Sequence, residues 1–395
     1  MKHGRTAKRA VYGLCALLLI CGVARYTRPL PAIAATNELA AQQSTLPATP
    51  SLDWPVQGEQ AIAIKGQTLQ ATHGSQIAMP TASTAKLMTV LGILHAHPLA
   101  ANQQGQTLTL SNADVAIYRQ DKAQNDSVVA VQNGEQITEY QALQAILLPS
   151  ACNMADSAAI WAFGSMPQYL KYANQEAAAL GMTHTHFAVD ASGASPQTVS
   201  TPQDLLRLGE AATNQPVIMN IVAQPKAVIP VAGTVYNYDS VLGQAGIVGL
   251  KTGNNTVDRG AFLFAANYDS QTILGVTMGA PSLPQALRDS VILLRSVQRN
   301  LQTIPVVHAG QLVGRYTAPW GSTASAVASK NLTVLGWKGT SLAAQAYLRP
   351  VSAPATSGQT VGTVGATYGM STVPTVLQSS FNQPSLFWRI LHVVG

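Results

Sequence analysis

Charge is scarce in this chain. Only 10% of its 395 residues are Asp, Glu, Lys or Arg while 47% are hydrophobic, which excludes a disordered chain and fits a globular one long enough for two domains. Cysteine is scarcer. Of three cysteines, Cys15 and Cys21 fall in an N-terminal apolar run, so Cys152 stands alone in the body and no disulfide framework is available. The body also lacks net charge. Lys2, Arg5, Lys8, Arg9, Arg25 and Arg28, with no acid among residues 1–28, account for the whole formal charge of +6, and the 17 other basic side chains are matched by 17 acidic ones. The basic balance therefore gives no argument for binding nucleic acid.

What the N-terminus does contain is legible. Four basic residues precede the apolar run Ala10 to Ala24, and Ala32-Ile33-Ala34 follows as a small-residue cleavage pattern. The run is shorter than the roughly 20 residues of a full membrane span and suits the apolar core of a signal peptide. A retained membrane anchor is the rival reading of residues 1–35. Either one exports the body, to the cell wall or the outer face of the cytoplasmic membrane. Leu18-Leu19-Ile20-Cys21 has the outline of a lipoprotein signal, but bulky Ile20 stands where a small residue is wanted.

Residues 36–52, rich in Ala, Gln, Thr, Ser and Pro, read as a linker. Gln60 to Lys65 and Thr68 to Thr72 predict a strand hairpin. Ser83 to His95 is helical and apolar almost all round, the pattern of a helix inside a core. Helices are also predicted over Thr138 to Leu148, with Thr138 as N-cap, then Asn153 to Ala162, Pro167 to Leu180 and Pro202 to Asn214. Ile247–Thr252, Ala261–Asn267 and Thr272–Met278 read as a meander, and Ala286 to Leu301 returns to helix. The expectation is an α+β domain over 53–303: one antiparallel sheet built from both ends of the domain, with helices packed on it. After Pro305 the composition turns to Gly, Thr, Val and Ser. Gly310-Gln311-Leu312-Val313-Gly314 is echoed by Gly358-Gln359-Thr360-Val361-Gly362, which predicts two similar hairpins in a small all-β domain over 304–382. Residues 383–395, with Leu386, Phe387, Trp388, Ile390 and Leu391 around Arg389, form a possible amphipathic tail, suited either to a membrane surface or to packing on the β-domain.

Three short motifs carry chemistry: Ser83-Thr84-Ala85-Lys86, Ser150-Ala151-Cys152-Asn153 and Lys251-Thr252-Gly253. Each is weak alone, but the first opens a buried helix and the last ends a strand. A serine hydroxyl needs a base to become a nucleophile. Lys86, three positions on, shares a helix face with Ser83 and reaches its oxygen. Lysine is a base only when neutral, which requires burial or a neighbouring cation; the apolar helix supplies the first and Lys251 the second. A helix N-terminus at Ser83 also favours developing negative charge.

Ser-x-x-Lys, then a Ser-x-Asn-like segment, then Lys-Thr-Gly resembles the signature of penicillin-binding proteins and serine β-lactamases. The wider text, Ala82 to Thr89, Leu147 to Ser150, Asp190-Ala191-Ser192-Gly193, Ser200 to Leu205 and Gly249 to Gly253, is similar to the low-molecular-weight D-alanyl-D-alanine carboxypeptidases. The resemblance covers about residues 53–300. It implies the penicillin-binding/β-lactamase-like fold and a serine acyl-enzyme that removes the terminal D-Ala of peptidoglycan stem peptides without a cofactor. It implies Ser83 as nucleophile, Lys86 as base and Ser150 as proton relay to the leaving group. Lys251, Thr252, Gly253 and Asn254 would bind substrate, with backbone N–H groups of Ser83 and Asn254 as oxyanion hole. β-Lactams would acylate the same serine.

One position departs from that pattern. The family's Asn falls on Cys152, with Asn153 one place later, so either becomes the candidate substrate-binding group, or the enzyme is a weakened, wall-binding relative. Arg259 and Arg288 are further candidate carboxylate partners. A β-lactamase is a third reading, but Glu176 lacks the Asn that should follow a deacylating Glu. His95/His97 and His184/His186 have metal-compatible spacing without a carboxylate or further His, so no metal is expected.

Overall fold

The computed structural model describes residues 12–13, 17, 20, 22–23, 26–39, 43–45, 52–67, 70–255, 259–269, 271–337, 341–366 and 371–392. Most of the N-terminal apolar run, with Cys15 and Cys21, lies outside the described residues, as do Thr68 and Leu69 of the expected hairpin. Among the described residues no helix is long and apolar enough to cross a membrane. The chain divides into two units, residues 50–301 and residues 1–49 with 302–395.

The first unit is built on a five-stranded antiparallel sheet. Its strands are β1 (Glu59–Ile64), β2 (Gln70–His73), β3 (Ile247–Asn255), β4 (Arg259–Tyr268) and β5 (Gln271–Ala280), in the spatial order β3-β4-β5-β1-β2. The sheet thus joins both ends of the unit, as the strand pattern predicts, and β3 is left at an edge. Between β2 and β3 run α1 (Lys86–Ala96), α2 (Asn112–Ala123), α3 (Glu139–Leu147), α4 (Cys152–Phe163), α5 (Met166–Ala179), α6 (Pro202–Thr213) and α7 (Pro216–Val222); α8 (Leu283–Asn300) follows β5.

Strand alternation sends neighbouring side chains to opposite faces. Leu263 pairs with Val276, and both join the helical core with Leu205 and Leu208 of α6. Phe262 pairs with Thr277, whose hydroxyl meets Ser290 of α8 at 3.0 Å on the other face. Helix α1 is buried on every side, through Leu87, Met88, Val90, Ile93 and Leu94. That explains how a helix with no acidic residue in its first turn and no side-chain cap is held: packing, not propensity, fixes it.

Local signals set the other ends. Thr138 and Gln141 form a reciprocal capping box before α3, and Gly164, at φ +79°, ends α4 in the left-handed region that glycine enters freely. Helix α2, the short α7 and a hairpin of Lys226–Ile229 with Gly233–Tyr236 add to the elements read from sequence.

The second unit is a β-domain with strands β6 (Leu301–Val307), β7 (Leu312–Thr317), β8 (Thr323–Ala328), β9 (Leu332–Trp337), β10 (Ser341–Leu348), β11 (Thr360–Ala366) and β12 (Thr372–Leu377). The internal echo is structural. Gly310 N donates to Ala328 O and Ala328 N to Gln311 O; Gly358 N donates to Leu377 O and Leu377 N to Gln359 O. Gln311 and Gln359 each turn their side-chain oxygen back to the N–H three residues earlier, of His308 and Thr356. The stretch 36–52, read as a linker, contains strand pairings among its described residues. Ala35–Asn37 pairs with β7 and Gln43–Thr45 with β10, because an edge strand is held by backbone groups and a linker-like composition does not forbid it.

Candidate active site

Ser83 lies in a single 3₁₀ turn, Ala82–Ala85, that runs directly into α1. The turn starts from a strained residue: Ala82 has φ +46°, a conformation costing on the order of 1–2 kcal/mol for a residue with a Cβ. Two close approaches surround it. A side chain on Gly193 would run into the Ala82 carbonyl, and one on Gly253 would stand 3.2 Å from the Ala82 methyl. Glycine at both positions lets the 193 loop and strand β3 close on the serine from two sides.

Lys86, three residues on, is 0% exposed. Its Nζ lies 2.8 Å from Ser83 Oγ, 3.0 Å from the Ser192 carbonyl and 3.3 Å from Cys152 Sγ. An ammonium donates to all three. A neutral amine keeps two N–H bonds for Ser192 O and Cys152 Sγ, and its lone pair then points at Ser83. That arrangement suits proton abstraction from the hydroxyl.

The Ser192 carbonyl is itself held. The Asp190 carboxylate accepts from the N–H groups of Ser192 (2.8 Å), Gly193 (2.6 Å), Ala194 (3.2 Å) and Ser195 (2.9 Å), and from the Ser192 hydroxyl at 2.8 Å. Asp156 of α4 accepts from Ala191 N at 2.8 Å, and Thr89 of α1 donates to the Ala191 carbonyl. In the sequence, Asp190 stands out only through the resemblance of Asp190-Ala191-Ser192-Gly193, which assigns it no role. Irregular loops carry no periodic signal, and only the Asp-x-Ser-Gly text marked this one.

Ser150 sits in the tight junction between α3 and α4 with φ +61°. Its hydroxyl is buried with no hydrogen-bond partner among the described residues, while the residue lines the cleft. Cys152, the first residue of α4, is buried, and its N–H donates to Ser127 O at 2.7 Å. Asn153 is turned away. Its side chain accepts from Val129 N at 3.1 Å and donates to Val129 O at 3.0 Å. Asn153 is therefore not brought into the cleft lining: a step of about 100° along the helix turns it to Val129, with which its amide exchanges two hydrogen bonds.

Lys251, in mid-strand on β3, is 1% exposed, and its Nζ donates to Thr252 O at 3.1 Å and contacts Thr252 Oγ1 at 3.4 Å. Burial, then the charge of Lys86, holds its pKa well below the ordinary lysine value; Cys152 and Asp239 oppose this. The carboxyl of Asp239 is itself pushed up to about 6, chiefly by burial. Two further buried acids stand near Lys86: Asp121 rises to about 6 and Asp156 to about 7, each first through desolvation.

These groups bound a cleft of about 380 Å³, which Ser83, Ser150, Cys152, Thr252, Asn254 and Tyr238 line. Neither Arg259 nor Arg288 belongs to its described lining; Arg288 donates to Gln285 on its own helix. Glu176 lies on α5, also outside that lining. The His95 ring stacks on Tyr172 and that of His97 on Trp161; among the described residues no group of three metal-ligating side chains gathers.

Residues 48–282 match the family described as D-alanyl-D-alanine carboxypeptidase. A D-alanyl-D-alanine carboxypeptidase of Streptomyces sp. strain K15 is 26% identical over 250 residues, which are 57% of this chain and 80% of that one. The D-alanyl-D-alanine carboxypeptidase DacB2 of Mycobacterium tuberculosis is 30% identical over 227 residues, 56% and 72% of the two chains. Two solved structures share the fold. Penicillin binding protein 5 from Haemophilus influenzae has a TM-score of 0.63 at 16% identity, over 85% of this chain and 99% of that one. The Streptomyces K15 DD-transpeptidase has a TM-score of 0.54 at 22% identity, over 64% and 98%. Solved variants of that transpeptidase include one with a serine changed to alanine and one with a cysteine, two positions further on, changed to asparagine. Ser150 and Cys152 have the same spacing.

Proposed function

The chain belongs to the D-alanyl-D-alanine carboxypeptidase family, and from that premise we propose that Ser83 is its working nucleophile and Lys86 the base. The observation that carries this is the three-point setting of Lys86 Nζ, which leaves a neutral amine no direction for its lone pair but Ser83 Oγ. In the reaction the Ser83 oxygen attacks the carbonyl between the two D-Ala residues while Lys86 takes its proton. Collapse of the tetrahedral adduct breaks the peptide bond. The departing D-alanine nitrogen takes the proton that Lys86 had accepted, relayed by Ser150, a cleft-lining residue whose hydroxyl has no hydrogen-bond partner among the described residues. Water then attacks the ester, Lys86 again accepts a proton, and Ser83 is released. Thr252, whose hydroxyl lies 3.4 Å from the buried Lys251 Nζ, receives the terminal carboxylate. β-Lactams, which resemble the acyl donor and lack a departing leaving group, acylate the same serine.

The test is release of free D-alanine from diacetyl-L-Lys-D-Ala-D-Ala by the purified full chain and by a Ser83→Ala variant. Release by the wild type alone supports the reading; release undiminished in the variant removes it.

The same reading places the enzyme outside the cytoplasm, held at a membrane surface. Its support is local. Ile33, in the middle of the small-residue cleavage pattern, is buried and exchanges backbone hydrogen bonds of 2.8 and 2.9 Å with Val351. That favours a retained N-terminal segment. In the C-terminal helix Leu386–Leu391, Trp388 packs on Trp320 while Leu386, Phe387 and Leu391 are 62%, 73% and 57% exposed. One face is thus anchored and the other is apolar and bare. Co-sedimentation with vesicles, lost on changing Phe387 and Leu391 to Ser, tests the tail.

A further inference from the structure

We infer that Asp126 selects the acyl donor by binding a side-chain ammonium on the residue that precedes D-Ala-D-Ala. This rests on the carboxypeptidase reading above and adds the class of substrate that the same cleft takes.

The wall of the cleft beyond Ser150 is the turn that follows α2, with Gln124, Asn125, Asp126 and Ser127 all lining it. The turn is fixed in place. Asn125 has φ +61°, Asp126 N donates to Asp121 O at 3.0 Å, and Ser127 O accepts from Cys152 N at 2.7 Å, at the floor of the site. A side chain on this turn is therefore held in constant relation to the nucleophile.

Asp126 is the one charged side chain among the described lining residues; the others are hydroxyls, amides, a thiol, a phenol and small or apolar groups. It is half-buried, yet among the described residues its carboxylate takes no hydrogen bond and makes no ion pair. The contrast with its neighbours is sharp. The carboxylate of Asp190 is taken up by the loop 192–195, and Asp156 by Ala191. Asp126 alone offers its charge to the cleft.

The surroundings make a cation welcome. Burial raises the Asp126 pKa first; Lys86 lowers it, and Asp190 adds repulsion. A half-buried carboxylate in that field is relieved by an ammonium brought in from outside. Strand β3 lines the same cleft with Thr252, whose hydroxyl lies 3.4 Å from Lys251 Nζ and suits the substrate's terminal carboxylate. The cleft thus offers two recognition groups: Thr252 on β3 for an anion and Asp126 on the 124–127 turn for a cation. A stem peptide with a diamino acid before D-Ala-D-Ala matches both.

The experiment compares two donors that differ in one group: Nα-acetyl-L-Lys-D-Ala-D-Ala, with a free side-chain amine, and its Nα,Nε-diacetyl analogue. For the wild-type full chain, kcat/KM should favour the free amine by about three- to tenfold, mostly through KM, as for a partly exposed ion pair. The preference should shrink as salt rises from about 50 to 500 mM. Asp126→Asn should bring the ratio near one, and Asp126→Glu should restore part of it. Equal use of the two donors by the wild type overturns the inference while leaving the carboxypeptidase reading intact. So does a preference that survives Asp126→Asn in protein whose melting temperature is unchanged. Failure to release D-alanine from either donor sinks both together.

Discussion

Cys152 Sγ lies 3.3 Å from Lys86 Nζ and completes the set of three polar contacts around that amine. Sulfur is a weak acceptor, so the contact orients the amine less firmly than an amide oxygen would. Replacing Cys152 by Ala removes an interaction worth about 1 kcal/mol, and the second-order rate of penicillin acylation should fall by roughly three- to tenfold. Cys152→Asn should acylate at least as fast as the wild type. An alanine variant with an undiminished rate would show that the thiol has no part in aiming Lys86.

Asp190 gathers four N–H groups of one loop and thereby fixes the Ser192 carbonyl on Lys86. It acts as a positioning residue. Asp190→Ala should slow acylation by about ten- to a hundredfold and alter its pH profile, because the lysine loses an oriented acceptor. Asp190→Asn, which retains one acceptor oxygen, should fall between. A loss of melting temperature with an unchanged pH profile would reduce Asp190 to a purely structural part.

Asn153 is a stability residue in this account. Its amide satisfies both backbone groups of buried Val129. Asn153→Ala leaves them unpaired, at about 1–3 kcal/mol for a buried polar group without a partner, readable as a lower denaturant midpoint. If instead the midpoint holds and only acylation is lost, Asn153 belongs to the site after all.

Asp156 gives the enzyme a pH-dependent weakness. Its carboxyl is raised to about 7 in the folded protein from an ordinary 3.8. Between those values the folded state binds the proton that the unfolded state has released. Stability from this group therefore declines as pH rises from about 4 to 7, the reverse of a salt-bridged carboxylate. Asp156→Asn keeps an acceptor for Ala191 N and carries no charge. It should raise the melting temperature more at pH 8 than at pH 5; an equal rise at both would contradict the assignment.

The sheet and the central helix were readable because their patterns are strong. Leu87 to Leu94 is apolar on all sides, and β3 to β5 alternate across short turns. Helix α2 was not readable by hydrophobic period, since Asp121 is its one buried residue; its signal is the Ser111–Asp114 capping box. Which of Cys152 and Asn153 faces the cleft depends on the phase of α4, whose start is held by Ala151 N on Ala145 O and Cys152 N on Ser127 O. The text of a motif does not contain that phase. Asp126 was invisible for a similar reason: a lone acid after a polar helix gains meaning only when folding brings it beside Ser150 and Cys152.

The most direct test of the central claim is covalent labelling of the folded protein with a fluorescent penicillin, wild type beside Ser83→Ala, with the adduct located by peptide mass. One stoichiometric adduct is expected, on the peptide containing Ser83 and absent from the variant. Labelling that survives the substitution, or an adduct on Cys152, would contradict it.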